Sequence, residues 1–204
     1  MGGAIKCLAG QNSLSRRKAD YERIERKLTV NKERSHARKA TDRSDVTILF
    51  GDLNYRVNAS VGLMRYLIEQ GQINSMTSFD ELKGLLGEGQ CMQDFTEGEI
   101  AFAPTFKFNT GGDTYVLHDT RIPSYTDRIL YKCKHKNALK LEAYDSNNLL
   151  KSSDHRPVFA QFVCDIEGDF ADCTLVQHGH EAVRQISRKE TAFGKCRRAI
   201  CSII

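Results

Sequence analysis

Val46-Thr47-Ile48-Leu49-Phe50-Gly51-Asp52-Leu53-Asn54-Tyr55-Arg56 is the stretch from which the rest of the chain is read. Val46 to Phe50 is a short apolar run rich in β-branched and aromatic residues, the pattern of a buried strand. The run stops at Gly51, and Asp52 and Asn54 follow two positions apart. In extended backbone, side chains at i and i+2 leave the same face, so both polar heads aim at one place beyond the strand. A carboxylate and an amide aimed together suit a site that activates water and holds an anionic oxygen. Gly-Asp-x-Asn is also good turn chemistry, and this stretch alone leaves both readings open.

Two later stretches weight the choice. Ile122-Pro-Ser-Tyr-Thr-Asp-Arg-Ile-Leu-Tyr131 puts Asp127 and Arg128 at the mouth of a second apolar strand. Ser152-Ser-Asp-His-Arg-Pro-Val-Phe-Ala160 puts Asp154 and His155 just ahead of a third. In this order the three clusters resemble the GDxNYR, PxYxDRIL and SDHxPV motifs of the inositol polyphosphate 5-phosphatases, of the deoxyribonuclease I-like exonuclease–endonuclease–phosphatase superfamily. The segment Phe95 to Phe108 resembles that family's FxEGxIxFxPTYKY, and RRxxDYxxI, beginning at Arg16, resembles the helix after its first catalytic His. The resemblance covers Gly10 to Ile166. It implies an α/β fold, a two-sheet sandwich flanked by helices, with the N-terminal part missing.

It also implies a chemistry: magnesium-dependent hydrolysis of the 5-phosphate of phosphoinositides or soluble inositol polyphosphates. Asp52 would orient or deprotonate the attacking water, and Asn54 would hold it or a phosphoryl oxygen. His155 would face the scissile phosphate with Asp127 fixing its orientation, and a carboxylate on an imidazole makes physical sense unaided. Asp154, with Asp52, would serve the metal. Lys107 and Arg121 stand where the family contacts the ring's 4-phosphate, and Arg56 is a further candidate substrate contact. Arg128 is expected to be a structural ion-pair partner. Asp119 replaces a family Lys, and Phe106 a family Tyr; both changes weaken 4-phosphate binding. The family's missing part carries a metal-binding Glu, an Asn and a His that would fall near Lys6. Magnesium demands near-ideal geometry, and Asp52 and Asp154 alone would serve it poorly. The alternative is therefore a catalytically inactive, truncated, membrane-tethered binding module.

Composition agrees with an ordinary domain. The chain has 204 residues, 40% hydrophobic and 27% charged, enough apolar material for one core. A net charge of +4 fits an anionic substrate or membrane surface, though weakly. The 7 Cys are scattered without a CxxC pair, which reads as a reduced intracellular chain without structural zinc. No apolar run approaches the ~20 residues that span a bilayer, and no continuous basic-aromatic surface points to a nucleic-acid partner.

Around the motifs, the pattern predicts a helix over Asn12 to Leu28, with Ala19, Ile24 and Leu28 inward and Arg16, Arg17, Lys18, Arg23, Arg26 and Lys27 outward. Asn31 to Ser44 reads as a loop. Ser60 to Gln70 reads as a helix, and so does Thr77 to Leu86, capped at its start. Ile100 and Phe102 are expected inward on a short strand, Leu139 to Tyr144 on a half-buried one, and Pro157 to Ile166 on the last core strand. Residues 1–166 then form the partial phosphatase domain and 167–204 a basic, loosely attached tail, with a short helix over His180 to Lys189. Cys201 lies fourth from the end, the CaaX form for prenylation, and Lys195, Arg197 and Arg198 would add an electrostatic signal. The expected location is cytoplasmic, membrane-associated through the prenylated end.

Overall fold

The computed structural model describes residues 13–27, 39–118, 121–135, 138–167 and 196–203. Helix α1 (Ser13–Lys27) and a 3-10 helix (Ala40–Arg43) lead into β1 (Val46–Asp52). Helices α2 (Val61–Glu69), α3 (Ile73–Thr77) and α4 (Glu81–Gly87) follow. The strands β2 (Thr96–Glu97), β3 (Asp127–Cys133), β4 (Leu139–Ser146), β5 (Val158–Glu167) and β6 (Cys196–Ile203) come next among the described residues. They form two three-stranded antiparallel sheets, in the orders β1-β3-β2 and β4-β5-β6.

Alternation along β3 builds the core. Ile129 and Tyr131 face the second sheet, where the Tyr131 and Phe162 rings meet edge to face at 5.2 Å between centroids. Met64, Leu67 and Met76, from α2 and α3, close that same cluster. Leu130 points to the opposite face, against Leu53, Tyr55, Leu82 and Phe95, with Leu14 and Tyr21 of α1 packed over them. β3 is thus covered on both faces, and its unbroken apolar run Ile129-Leu130-Tyr131 is what such a doubly buried strand requires.

Several expectations are corrected. β1 is only half-buried and Phe50 is 54% exposed. Among the described residues, β1 pairs on one edge alone, with β3. Helix α1 turns Leu14, Arg17, Tyr21 and Glu25 inward and leaves Ala19 exposed, while Ile24 is half-buried. Arg17 is buried because its Nη2 reaches Glu81 Oε2 at 2.5 Å and its guanidinium lies 4.8 Å from the Tyr55 ring centre. Thr77 does not open a helix; it ends α3, and α4 is capped by Asp80, whose carboxylate accepts the Lys83 N–H at 2.8 Å. Ile100 and Phe102 are buried in irregular backbone rather than on a strand, which stops at Glu97. β5 is not the last strand: β6, in the segment expected to be a loose tail, pairs along it from Ala160↔Ile203 to Glu167↔Cys196. Leu28, Asp119 and His180 to Lys189 lie outside the described residues.

Candidate active site

The register of the first sheet sets Asp52, the last residue of β1, opposite Asp127, the first residue of β3. Beyond Asp52 the backbone does not stay extended. Leu53 and Asn54 both donate their N–H to Thr126 O, at 2.8 and 3.2 Å, and Asn54 takes a left-handed φ of 54°. Asn tolerates that conformation better than most residues. The bend still brings Asn54 Nδ2 to 3.5 Å from Asp52 Oδ2 and buries Asn54 Oδ1 without a hydrogen-bond partner. Turn chemistry and convergence of the two side chains are one arrangement here.

His155 comes from the segment just ahead of β5. Phe106 holds it in place: its backbone bridges Ser124 on one side and His155 on the other, and its ring lies 4.5 Å from the imidazole. His155 Nδ1 lies 2.9 Å from Asp127 Oδ2 and 3.2 Å from Oδ1. The same Oδ2 accepts hydrogen bonds from Thr105 Oγ1 at 2.7 Å and Thr126 Oγ1 at 2.8 Å. Nδ1 is committed to the carboxylate, which leaves Nε2 as the nitrogen for a ligand or water. A cavity of about 320 Å³ opens beside the pair, bordered by Phe50, Gly51, Asp127, Ser153 and His155.

The charges act on each other. Burial opposes the His155 imidazolium, but the Asp127 hydrogen bond and the charges of Asp127, Asp52 and Asp154 outweigh it and raise the imidazole's pKa. Loss of hydration, and next Asp127, push the Asp52 carboxyl above its ordinary value. The Lys107 ammonium, 2.5 Å from Asp154 Oδ2, holds that carboxyl below its own.

Asp52, Asn54, Asp127 and His155 are therefore brought together, and Lys107 and Asp154 form a pair of their own. Arg56 stacks its guanidinium 4.7 Å from the Phe106 ring centre, near the imidazole. Arg121 is exposed at a turn it shares with His118. Arg128 is fully buried, bridging Asp80 at 2.8 Å and Glu97 at 2.6 Å, a structural partner as its sequence context implies. The sequence pattern gave no role to Thr105 and Thr126, and marked Phe106 only as standing in place of a tyrosine, not as the support of His155. Each lies inside a quoted motif, two of them directly beside a singled-out residue, which was the available signal.

The model of the Endonuclease/Exonuclease/phosphatase family 2 matches residues 6–161. The chain belongs to this family. Its similarity to the phosphatidylinositol polyphosphate 5-phosphatase type IV of Mus musculus is 30% identity over 217 residues, covering 96% of this chain but 34% of the relative. The chain thus spans about a third of that relative's length. Among solved structures, the inositol polyphosphate 5-phosphatase domain of a synaptojanin, in complex with inositol (1,4)-bisphosphate and calcium ion, aligns with a TM-score of 0.65 and 32% identity, over 76% of this chain and 43% of that one. A Cimex nitrophorin, solved as a ferrous NO complex, aligns with a TM-score of 0.55 and 36% identity, over 59% of this chain and 42% of its own. The two-sheet architecture is that of the phosphatase domain.

The residues present do not make a complete divalent-cation site. No group of three or more His, Cys, Asp and Glu placed to hold a metal occurs among the described residues. Of the two expected ligands, Asp154 is engaged by Lys107 and Asp52 leans on Asn54. That falls short of the near-octahedral oxygen set magnesium requires.

Proposed function

We propose that this chain supplies the carboxylate–imidazole part of a site that hydrolyses the 5-phosphate of phosphoinositides or soluble inositol polyphosphates, with magnesium as the metal of the complete site. The observation that carries this reading is the Asp127–His155 pair, held by two threonine hydroxyls and set beside Asp52 and Asn54. In it, His155 presents positive charge and a hydrogen-bond donor to the phosphoryl oxygens, and Asp127 keeps the ring oriented and charged. Asp52, with its raised pKa, takes the proton of the attacking water, and the Asn54 amide, whose Nδ2 lies 3.5 Å from Asp52, holds that water or a phosphoryl oxygen. Lys107, Arg121 and Arg56 are the cations for the remaining ring phosphates. Prenylation at Cys201 would hold the protein at a cytoplasmic membrane surface and so place it in phosphoinositide signalling. No nucleic-acid contact is part of this reading.

One observation favours a second reading for this polypeptide. The incomplete cation site, with Lys107 seated on Asp154, suits a module that binds inositol phosphates without turning them over. Phosphate release from a 4,5-bisphosphorylated inositol substrate separates the two, measured with magnesium on the purified chain beside EDTA and Asp52→Ala controls. Activity abolished by both controls supports hydrolysis. A cooperatively folded chain that binds substrate but releases no phosphate supports the binding module, and failure to bind sinks both.

A further inference from the structure

Two contacts fix how β3 and β5 run past each other. β3 begins at Asp127 and β5 just after His155, and these two residues touch. Further along both strands, Tyr131 meets the Phe162 ring. The strands therefore leave the Asp127–His155 pair together and travel the same way, one in each sheet. Two residues beyond Tyr131 and Phe162 stand Cys133 and Cys164, both thiols and both half-buried. Side chains two apart in a strand share a face, so Cys133 points with Tyr131 toward the second sheet, and Cys164 with Phe162 toward the first. Cross-strand register agrees. Leu139 stands opposite Cys164 and Leu141 opposite Phe162, and both leucines pack into the cluster between the sheets. The Leu139 N–H in turn donates to the Cys133 sulfur. The Cys133 thiol thus sits at the backbone of the residue that faces Cys164.

We propose that Cys133 and Cys164 are an oxidative modification site, which hydrogen peroxide converts to a disulfide clasping the two sheets at the end away from the Asp127–His155 pair. One thiol is oxidised to a sulfenic acid as the peroxide O–O bond breaks and a water leaves. The second sulfur attacks the sulfenic sulfur: the S–S bond forms, the S–O bond breaks, and a second water carries off the hydroxyl and the remaining proton. Two electrons pass from the two thiols to one peroxide. A dithiol reductant reverses the step by exchange, becoming a disulfide itself. Inter-sheet disulfides of this kind occur in immunoglobulin sandwiches. Burial, and next the charge of Cys164, push the Cys133 thiol above its ordinary value. Oxidation is therefore slow at neutral pH and quickens as the thiolate appears toward alkaline pH. Cys91 does not compete, since it is buried in the other apolar cluster beside Tyr55. The clasp closes a loop that contains β4 and constrains the unfolded chain. It ties together the same two strands whose starts set Asp127 against His155, without depending on what that pair does.

The test treats the reduced 204-residue chain with hydrogen peroxide under native conditions, alkylates the remaining thiols, and maps the linkages by mass spectrometry. The expected result is a Cys133–Cys164 cross-linked peptide, lighter by two hydrogens than its parts and separated again by dithiothreitol. Its rate of formation should rise with pH. The oxidised chain should melt at least ~5 °C above the reduced one, and oxidation should give no such rise in Cys133→Ser or Cys164→Ser. Recovery of both sulfurs as alkylated thiols or as sulfonic acids overturns the proposal. So does linkage of either to another cysteine, or a link that forms only after the chain is first unfolded. A link that leaves the melting temperature unchanged removes the clasp. The mapping is made on the parent chain, so a variant that fails to fold does not blunt the result.

Discussion

Asp127 holds His155 through a carboxylate already fixed by Thr105 and Thr126, so the imidazole is set by residues from two separate segments. Because the folded His155 pKa is raised, the pair stabilises the fold fully below the unfolded histidine value, ~6.5, and that stability fades as pH rises through the folded value. Replacing Asp127 by Asn should lower the His155 pKa in an NMR titration, and the stability gap between the two proteins should narrow from acid to alkaline pH. A gap that widens with pH would contradict the assignment. In a catalytically competent chain, Asp52→Ala or His155→Ala should cut turnover at least ~100-fold, the scale of such groups; a loss below about tenfold would remove their roles. The dyad was legible in the sequence because SDH and DR each sit at a strand mouth. The threonine supports and the Phe106 ring were not, because hydroxyl and ring contacts across segments leave no periodic trace.

At the scale of elements, buried charge ties α4, β2 and β3 together. Arg128 of β3 bridges Asp80, which caps α4, and Glu97 of β2, while Tyr144 of β4 donates its hydroxyl to the same Glu97 at 2.9 Å. Arg128→Ala would leave two carboxylates buried without their cation, and denaturant unfolding should register a loss of ~3–5 kcal/mol. Gly98 follows β2 at a close approach between sheets: a Cβ there would meet Leu141 Cδ2 at 2.6 Å and Tyr144 Cδ1 at 2.8 Å. Gly98→Ala should therefore cost ~1–3 kcal/mol by overpacking, read from the same unfolding curves. On α1 the apolar pattern misled, since Arg17 and Glu25 are inward through an ion pair and hydrogen bonds that pattern analysis counts as solvated charge. On α4 it found the helix but placed the cap three residues early, because Thr77 and Asp80 are both competent caps and tertiary packing chose between them.

Over the whole molecule, the two sheets meet at Tyr131 and Phe162, and β6 covers the outer edge of β5. Removing residues 196–204 should expose that edge, and hydrogen exchange should show the β5 amides directed at β6 losing protection while those directed at β4 keep theirs. Uniform protection after truncation would contradict the pairing. The sequence by itself determined the strand mouths, the polar clusters that stand at them and the family, because these rest on local period and on side-chain chemistry at fixed spacing. Only the tertiary structure decided that Asp52 faces Asp127 across a register, that Asn54 reaches Asp52 through a left-handed bend, and that Lys107 rests on Asp154. It alone decided that the tail supplies a strand and that Leu149 and Leu150 stand in solvent. Each of these depends on which distant segments become neighbours, and a one-dimensional pattern records burial and turn preference but not the partner.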